Sequence, residues 1–237
     1  MGDVVVVHDI GRHQVAIANR DGVMPPSPYT LFLAQHLPGM TGWTIADVGT
    51  GSGILAIVAR LLGASTAFVN DTNVDAVDLA MENAERNGVL EGIIPLPSTG
   101  DMLPLPMGSK VDAVICNPAQ LPMPEPEVPD DPYFAGTDGR RMIVGVIEEM
   151  PRRLRQGGRL FMVHNSMADF PASLALLNSL GFDTRVLAQR TLEFRPFFNR
   201  SWFDRLGGPA RGLYTVVDGR AYETLYVFEA QLVIGRT

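Results

Sequence analysis

The sequence is poor in cysteine, in basic charge and in long apolar runs, and each shortage removes a class of protein. Cys116 is the single cysteine in 237 residues, so no disulfide can form within the chain, which fits a reducing compartment. Lysine and arginine number 19 against 26 aspartates and glutamates, a net charge of −7. Extended binding to nucleic acid needs a basic footprint, so a nucleic-acid partner is not expected. No run of about 18 apolar residues exists to span a membrane. The opening "MGDVVVVHDI" lacks the basic flank of a signal peptide, so a cytoplasmic protein is expected. There is no cysteine–histidine metal spacing, no serine-nucleophile motif and no internal repeat.

What remains is 46% hydrophobic and long enough for one full core. The reading is a single domain over residues 1–237, with an N-terminal cap at 1–42 and an insertion at 190–222. Short β-rich runs alternate with helical ones, which predicts an α/β fold with a mostly parallel sheet. "VVVV" and "HQVAIAN" flank a turn and predict a small hairpin. Ser27 and Pro28 suit the cap and first position of a helix. Strands are expected at Trp43–Gly49, Ser65–Asp71, near "GIIPLP", at Val111–Asn117 and at Gly157–Asn165. The last two, "FDTRVLAQ" and "ETLYVFEAQLV", read as an antiparallel pair. Helices fall between, one of them ending near Pro151.

The chemistry concentrates after the first of these strands. "DVGTGSG" places Gly49, Gly51 and Gly53 at a strand-to-helix turn, where glycine permits a tight path and close approach by a ligand. Asp71 ends the next strand, where a carboxylate can accept from both hydroxyls of a ribose. It can also help cap the following helix. Asp47, directly before the glycines, suits the amino end of an amino-acid-bearing cofactor and is a poor neighbour for a pyrophosphate. Asp101 and Met102 follow the third strand, where an acid can accept from adenine N6 and a thioether can pack on the ring. These residues leave a dinucleotide oxidoreductase as the weaker cofactor class and S-adenosyl-L-methionine as the stronger.

With "DVGTGSG", "NDTNVDAVDLAMENAERNG", "CNPAQ" and "AGTDGRR" in order, the chain resembles the class I S-adenosylmethionine-dependent methyltransferases over roughly Ser27 to Leu187. Its closest branch is the "NPPY" group, which includes the glutamine methyltransferases of release factors and ribosomal proteins. The resemblance implies a Rossmann-like sheet with an antiparallel last strand. It also implies that the side chain of Asn117 and the carbonyl of Pro118 hold an acceptor N–H₂ group in line with the methyl, while Asn117 borders the cofactor. The motif departs from the group at Ala119 and Gln120. Gln120 stands where an aromatic residue would pack a planar acceptor, so a small polar acceptor or a solvent-facing Gln120 is expected.

Loops after the parallel strands converge outside their carboxyl ends. Tyr29, at the start of the first helix, belongs to this group as a third candidate catalytic residue. His164 ends a strand near the cleft and is a candidate base. The Arg190–Tyr222 connection carries arginines 190, 195, 200, 205, 211 and 220 and, before its closing Tyr222, the aromatics Phe194, Phe197, Phe198, Trp202, Phe203 and Tyr214. It reads as a packing or homodimer surface, as a lid over a small acceptor, or as a nucleic-acid contact. The leading function is methyl transfer to a nitrogen of a small molecule or protein side chain. The alternatives are cyclisation of the cofactor with release of methylthioadenosine, as in azetidine-2-carboxylate synthases, and a catalytically silent partner subunit.

Overall fold

A turn at Gly11 joins β1 (Val4–Ile10) and β2 (His13–Asn19) into an antiparallel hairpin separate from the main sheet. The computed structural model describes residues 4–97, 102–123, 134–193 and 213–233. Helix α1 (Pro28–Ala34) begins as expected: the Ser27 hydroxyl accepts from the Thr30 N–H, and Pro28 occupies the first position. There follow β3 (Thr44–Val48), α2 (Ile54–Leu61), β4 (Thr66–Asn70), α3 (Val74–Arg86), β5 (Ile93–Pro95), β6 (Val111–Cys116) and α4 (Arg141–Arg153). Then come β7 (Leu154–Asn165), a 3-10 turn (Ser166–Ala168), α5 (Phe170–Ser179), β8 (Phe182–Glu193), β9 (Thr215–Val217) and β10 (Arg220–Leu232).

The main sheet runs β5-β4-β3-β6-β7-β10-β8, with β9 attached to β10. Strands β5, β4, β3, β6 and β7 are parallel, and β10 is antiparallel to β7 and β8. This is the Rossmann-like α/β class. From β3 the chain moves outward through β4 and β5, then returns across β3 to lay down β6. The reversal puts the switch point between β3 and β6, where an open α/β sheet binds its ligand.

Strand alternation divides the core. Ile45, Ile115, Phe161, Val163, Leu225 and Val227 face α1, α2 and the hairpin. Ala46, Val114, Cys116, Leu160, Met162 and Phe228 face α4 and α5. The hairpin is held by side chains that imitate a neighbouring strand. Asn83 Oδ1 accepts from Ala18 N–H at 2.8 Å and Asn87 Oδ1 from Ala16 N–H at 2.9 Å. Each asparagine returns a donor to the carbonyl of the same residue. Four residues apart, they lie on one face of α3. Asn83 also donates to Ser52 O, tying the hairpin to the glycine turn.

Some boundaries differ from the sequence reading. Helix α4 runs through Pro151 to Arg153, although the proline gives up one backbone bond, because the buried face of Ile143, Val146, Ile147 and Met150 holds it down. Strand β7 starts at Leu154, with a register break before regular pairing resumes at Arg159. Strands β8 and β10 stay paired out to Glu193 and Tyr222, so the 190–222 insertion begins and ends as sheet. Residues 194–212 of it lie outside the described residues.

Candidate active site

At the carboxyl end of β3, Asp47 is wholly buried. Its Oδ2 accepts from the Thr50 hydroxyl at 2.8 Å and from Ala56 N–H at 3.2 Å, so this oxygen fixes the glycine turn to α2. Its Oδ1 has no hydrogen-bond partner among the described residues. Burial pushes the carboxyl up to about 7, with the Asp71 charge adding to the rise.

The glycines of the turn divide their work. A side chain at Gly53 would meet Ala80 of α3 at 2.7 Å, so Gly53 lets two helices approach. A side chain at Gly51 would touch Met24 O at 3.5 Å, where the segment after β2 crosses the turn. Only Gly49 faces open space among the three. Asp71 lies beside them and is partly exposed. Its Oδ2 accepts from Gly51 N–H and its Oδ1 from Asn73 N–H, both at 3.0 Å. Both carboxylate oxygens are thereby tied to the backbone of the glycine turn and of the loop before α3.

Asn70, unnoticed in the sequence, connects these parts. Its carbonyl accepts from both Gly49 and Thr50 N–H, and its side chain donates to Met102 O at 2.9 Å. Met102 is partly buried, and its terminal methyl packs against Gly145 of α4 within the second core. Asp101 lies outside the described residues.

Asn117 follows the end of β6. Its amide donates to the Thr30 hydroxyl at 2.8 Å and to the Ser27 hydroxyl at 3.4 Å, so α1 orients it. Gln120 corrects the expectation that it faces solvent: it is buried. Its Nε2 lies 3.2 Å from Asn117 Oδ1, from Pro118 O and from Val163 O. Its Oε1 accepts from Asn165 N–H at 2.6 Å. The "AGTDGRR" segment presses on this loop: a side chain at Gly139 would sit 2.6 Å from Gln120 O.

Tyr29 donates to Glu223 Oε1 from the turn of α1 that also holds Asn117. Glu223 was not foreseen, yet its parity was readable. It shares the inward face of β10 with Leu225 and Val227. Its Oε2 is buried without a partner among the described residues. Burial raises the carboxyl to about 7, against the lowering effect of the Tyr29 bond.

His164 is not a base of this site. It alternates onto the α5 side with Met162, donates from Nδ1 to Asn165 O at 2.6 Å and meets the Ser173 hydroxyl at 2.9 Å. The Asn165 carbonyl can only accept, so the proton of the neutral ring sits on Nδ1. Burial lowers its pKa to about 4.

The arrangement fits S-adenosylmethionine. Asp47 Oδ1 is a buried acceptor with no donor among the described residues, which a cofactor amino group or a bridging water would supply. Space above Gly49 is open, and the Asp71 carboxylate stands beside the same turn.

Comparison with known proteins agrees. The profile of the ribosomal protein L11 methyltransferase (PrmA) family matches residues 32–158, more than half of the chain. A putative protein N5-glutamine methyltransferase of Methanocaldococcus jannaschii is 28% identical over 73% of this chain and 87% of its own length. The ribosomal protein L11 methyltransferase of Desulforamulus reducens is 34% identical over 63% of this chain, but that match spans only 49% of the relative. The chain thus covers about half the length of such L11 methyltransferases. Among solved structures, the ribosomal protein L11 methylase of Lactobacillus delbrueckii subsp. bulgaricus aligns over 93% of this chain and 97% of its own, with a TM-score of 0.54 and 20% identity. The T. thermophilus 16S rRNA N2 G1207 methyltransferase, in complex with AdoMet and guanosine, aligns over 98% and 51% with a TM-score of 0.60 and 18% identity. At these identities the structures speak to the fold. The chain belongs to the ribosomal protein L11 methyltransferase (PrmA) family, and its class is that of S-adenosylmethionine-dependent methyltransferases with a Rossmann-like fold.

Proposed function

We propose that this chain transfers a methyl group to a nitrogen of a protein side chain. The observation that carries the reading is the convergence of Asp47, Asp71 and Asn117 at the ends of three adjacent parallel strands, on both sides of the switch point. S-adenosylmethionine supplies an electron-poor methyl group on sulfur. Asp47 takes the amino end of this cofactor through Oδ1, and its charge is stabilised on doing so. Asp71 accepts from the ribose hydroxyls while continuing to hold the glycine turn. Asn117 and Pro118 aim carbonyl oxygens at the acceptor nitrogen. Orientation is the main requirement, because a held nucleophile in line with the methyl reacts with little acid–base help. Glu223, adjacent to this machinery through Tyr29, is the nearby carboxylate suited to a proton released from the acceptor.

A protein acceptor is favoured over a small molecule by the relatives, which are named for ribosomal protein L11 and for protein glutamine. The test is incubation of purified protein with methyl-labelled S-adenosylmethionine, first alone and then with isolated ribosomal proteins. The reading expects label in a polypeptide and none in its absence. Release of methylthioadenosine from the cofactor alone would replace it with cyclase or lyase chemistry.

A further inference from the structure

We infer that Gln120 is a specificity-determining residue whose own carboxamide fills the cradle formed by Asn117 Oδ1 and Pro118 O, keeping primary carboxamides out. The inference deepens the proposed function and rests on its assignment of those two oxygens to the acceptor.

The geometry is that of a bound amide. Gln120 Nε2 is 3.2 Å from each of the two cradle oxygens, and also 3.2 Å from Val163 O. The opposite end of the group is committed as well. Oε1 accepts from the Asn165 backbone N–H at 2.6 Å, and that group can only donate. Turning the amide over would set N–H against N–H and oxygen against oxygens, so the orientation follows from the partners. The Gln120 residue is 3% exposed, and its main-chain oxygen accepts from Asn165 Nδ2 at 3.3 Å. The backbone is therefore clamped behind the side chain, by β7 on one side and by the close approach of Gly139 on the other.

An incoming primary carboxamide presents the same NH₂ group and needs the same two oxygens. It competes with an amide tethered in place, which acts at high effective concentration. Displacing Gln120 also strips Asn165 N–H of its side-chain acceptor inside the protein, a buried loss that a weak ligand does not offset. An acceptor nitrogen held through the remaining lone pairs of these oxygens, without displacing Nε2, meets no such competition. On this account the chain does not methylate glutamine side chains.

The test uses N-acetyl-L-glutamine N-methylamide as a carboxamide probe, titrated into protein saturated with S-adenosylhomocysteine and followed by NMR. The parent should show no saturable binding, and Gln120→Ala should bind at least roughly tenfold more tightly. Adding Asn117→Ala to Gln120→Ala should abolish the gain. Parent binding equal to the variant, or no gain in the variant, overturns the inference. A gain that survives Asn117→Ala also overturns it, because the cradle then does not include Asn117 Oδ1. A second measurement needs no functional variant. In the ¹⁵N-labelled parent the Gln120 side-chain NH₂ should exchange slowly with deuterium, and rapid exchange at free-amide shifts overturns the inference.

Discussion

Tyr29 and Glu223, 194 residues apart, are joined by a hydrogen bond from the phenol to a buried carboxylate. This bond lies beside the Thr30 hydroxyl that orients Asn117, so the first helix and the last long strand meet at the acceptor side. Glu223 is lifted from its usual 4.5 to about 7 by burial, and Tyr29 works against the lift. Tyr29→Phe should therefore move the Glu223 titration upward, read by ¹³C NMR of the carboxyl. An unchanged or lower midpoint would mean the phenol does not stabilise the charge.

The same lift has a stability consequence. Between 4.5 and about 7 the folded protein keeps the Glu223 proton and the unfolded chain has lost it. Stability therefore falls as pH rises through this window and levels off above it. Glu223→Gln should flatten part of that decline in urea melts across the window. Asp47, raised for the same reason, should leave the remainder.

Asp47 also sets how cofactor affinity depends on pH. Its carboxyl ionises near about 7 in the free protein. A cofactor ammonium favours the ionised form. The amino group of a free amino acid keeps its charge through this range. Affinity for S-adenosylhomocysteine, measured by calorimetry, should rise as pH increases through about 7 and then level off. Asp47→Asn should remove the acid-side rise and leave weaker binding. A parental profile in that variant would detach Asp47 from the cofactor.

Asp71 is expected to matter twice, through the ribose and through Gly51 N–H. Asp71→Ala should weaken S-adenosylhomocysteine binding by about 1–3 kcal/mol, the scale of a hydrogen bond to a charged group. Equal affinity in variant and parent would leave Asp71 a loop residue only.

Much of this was legible in the sequence where local signals and packing agreed. Ser27 and Pro28 start α1, and Asp71 stands at the end of β4 because glycine turn, acid and helix follow in a fixed order. What escaped was set by contacts distant in sequence. Asn83 and Asn87 read as polar residues of a helix until the edge of β2 is brought against them. His164 looked like a cleft residue because it ends a strand, but strand parity turns it toward Ser173. In the sequence Gln120 reads as a substitution in a motif, whereas its partners at Val163 and Asn165 lie on a strand more than forty residues later. Glu223 carried a signal, an acid on the inward parity of a strand, that needed its partner Tyr29 to acquire meaning.

The most direct test of the central claim is methyl transfer by Asn117→Ala, with cofactor affinity measured on the same preparation. The labelled methyl group is followed into the polypeptide identified in the ribosomal-protein incubation. The account predicts near-parental affinity for S-adenosylhomocysteine, because Asp47 and Asp71 hold the cofactor from the other side of the switch point. It predicts turnover lower by about 10²–10³, the loss typical of one positioned hydrogen bond in a site shielded from water. Near-parental turnover in a folded Asn117→Ala protein would contradict it.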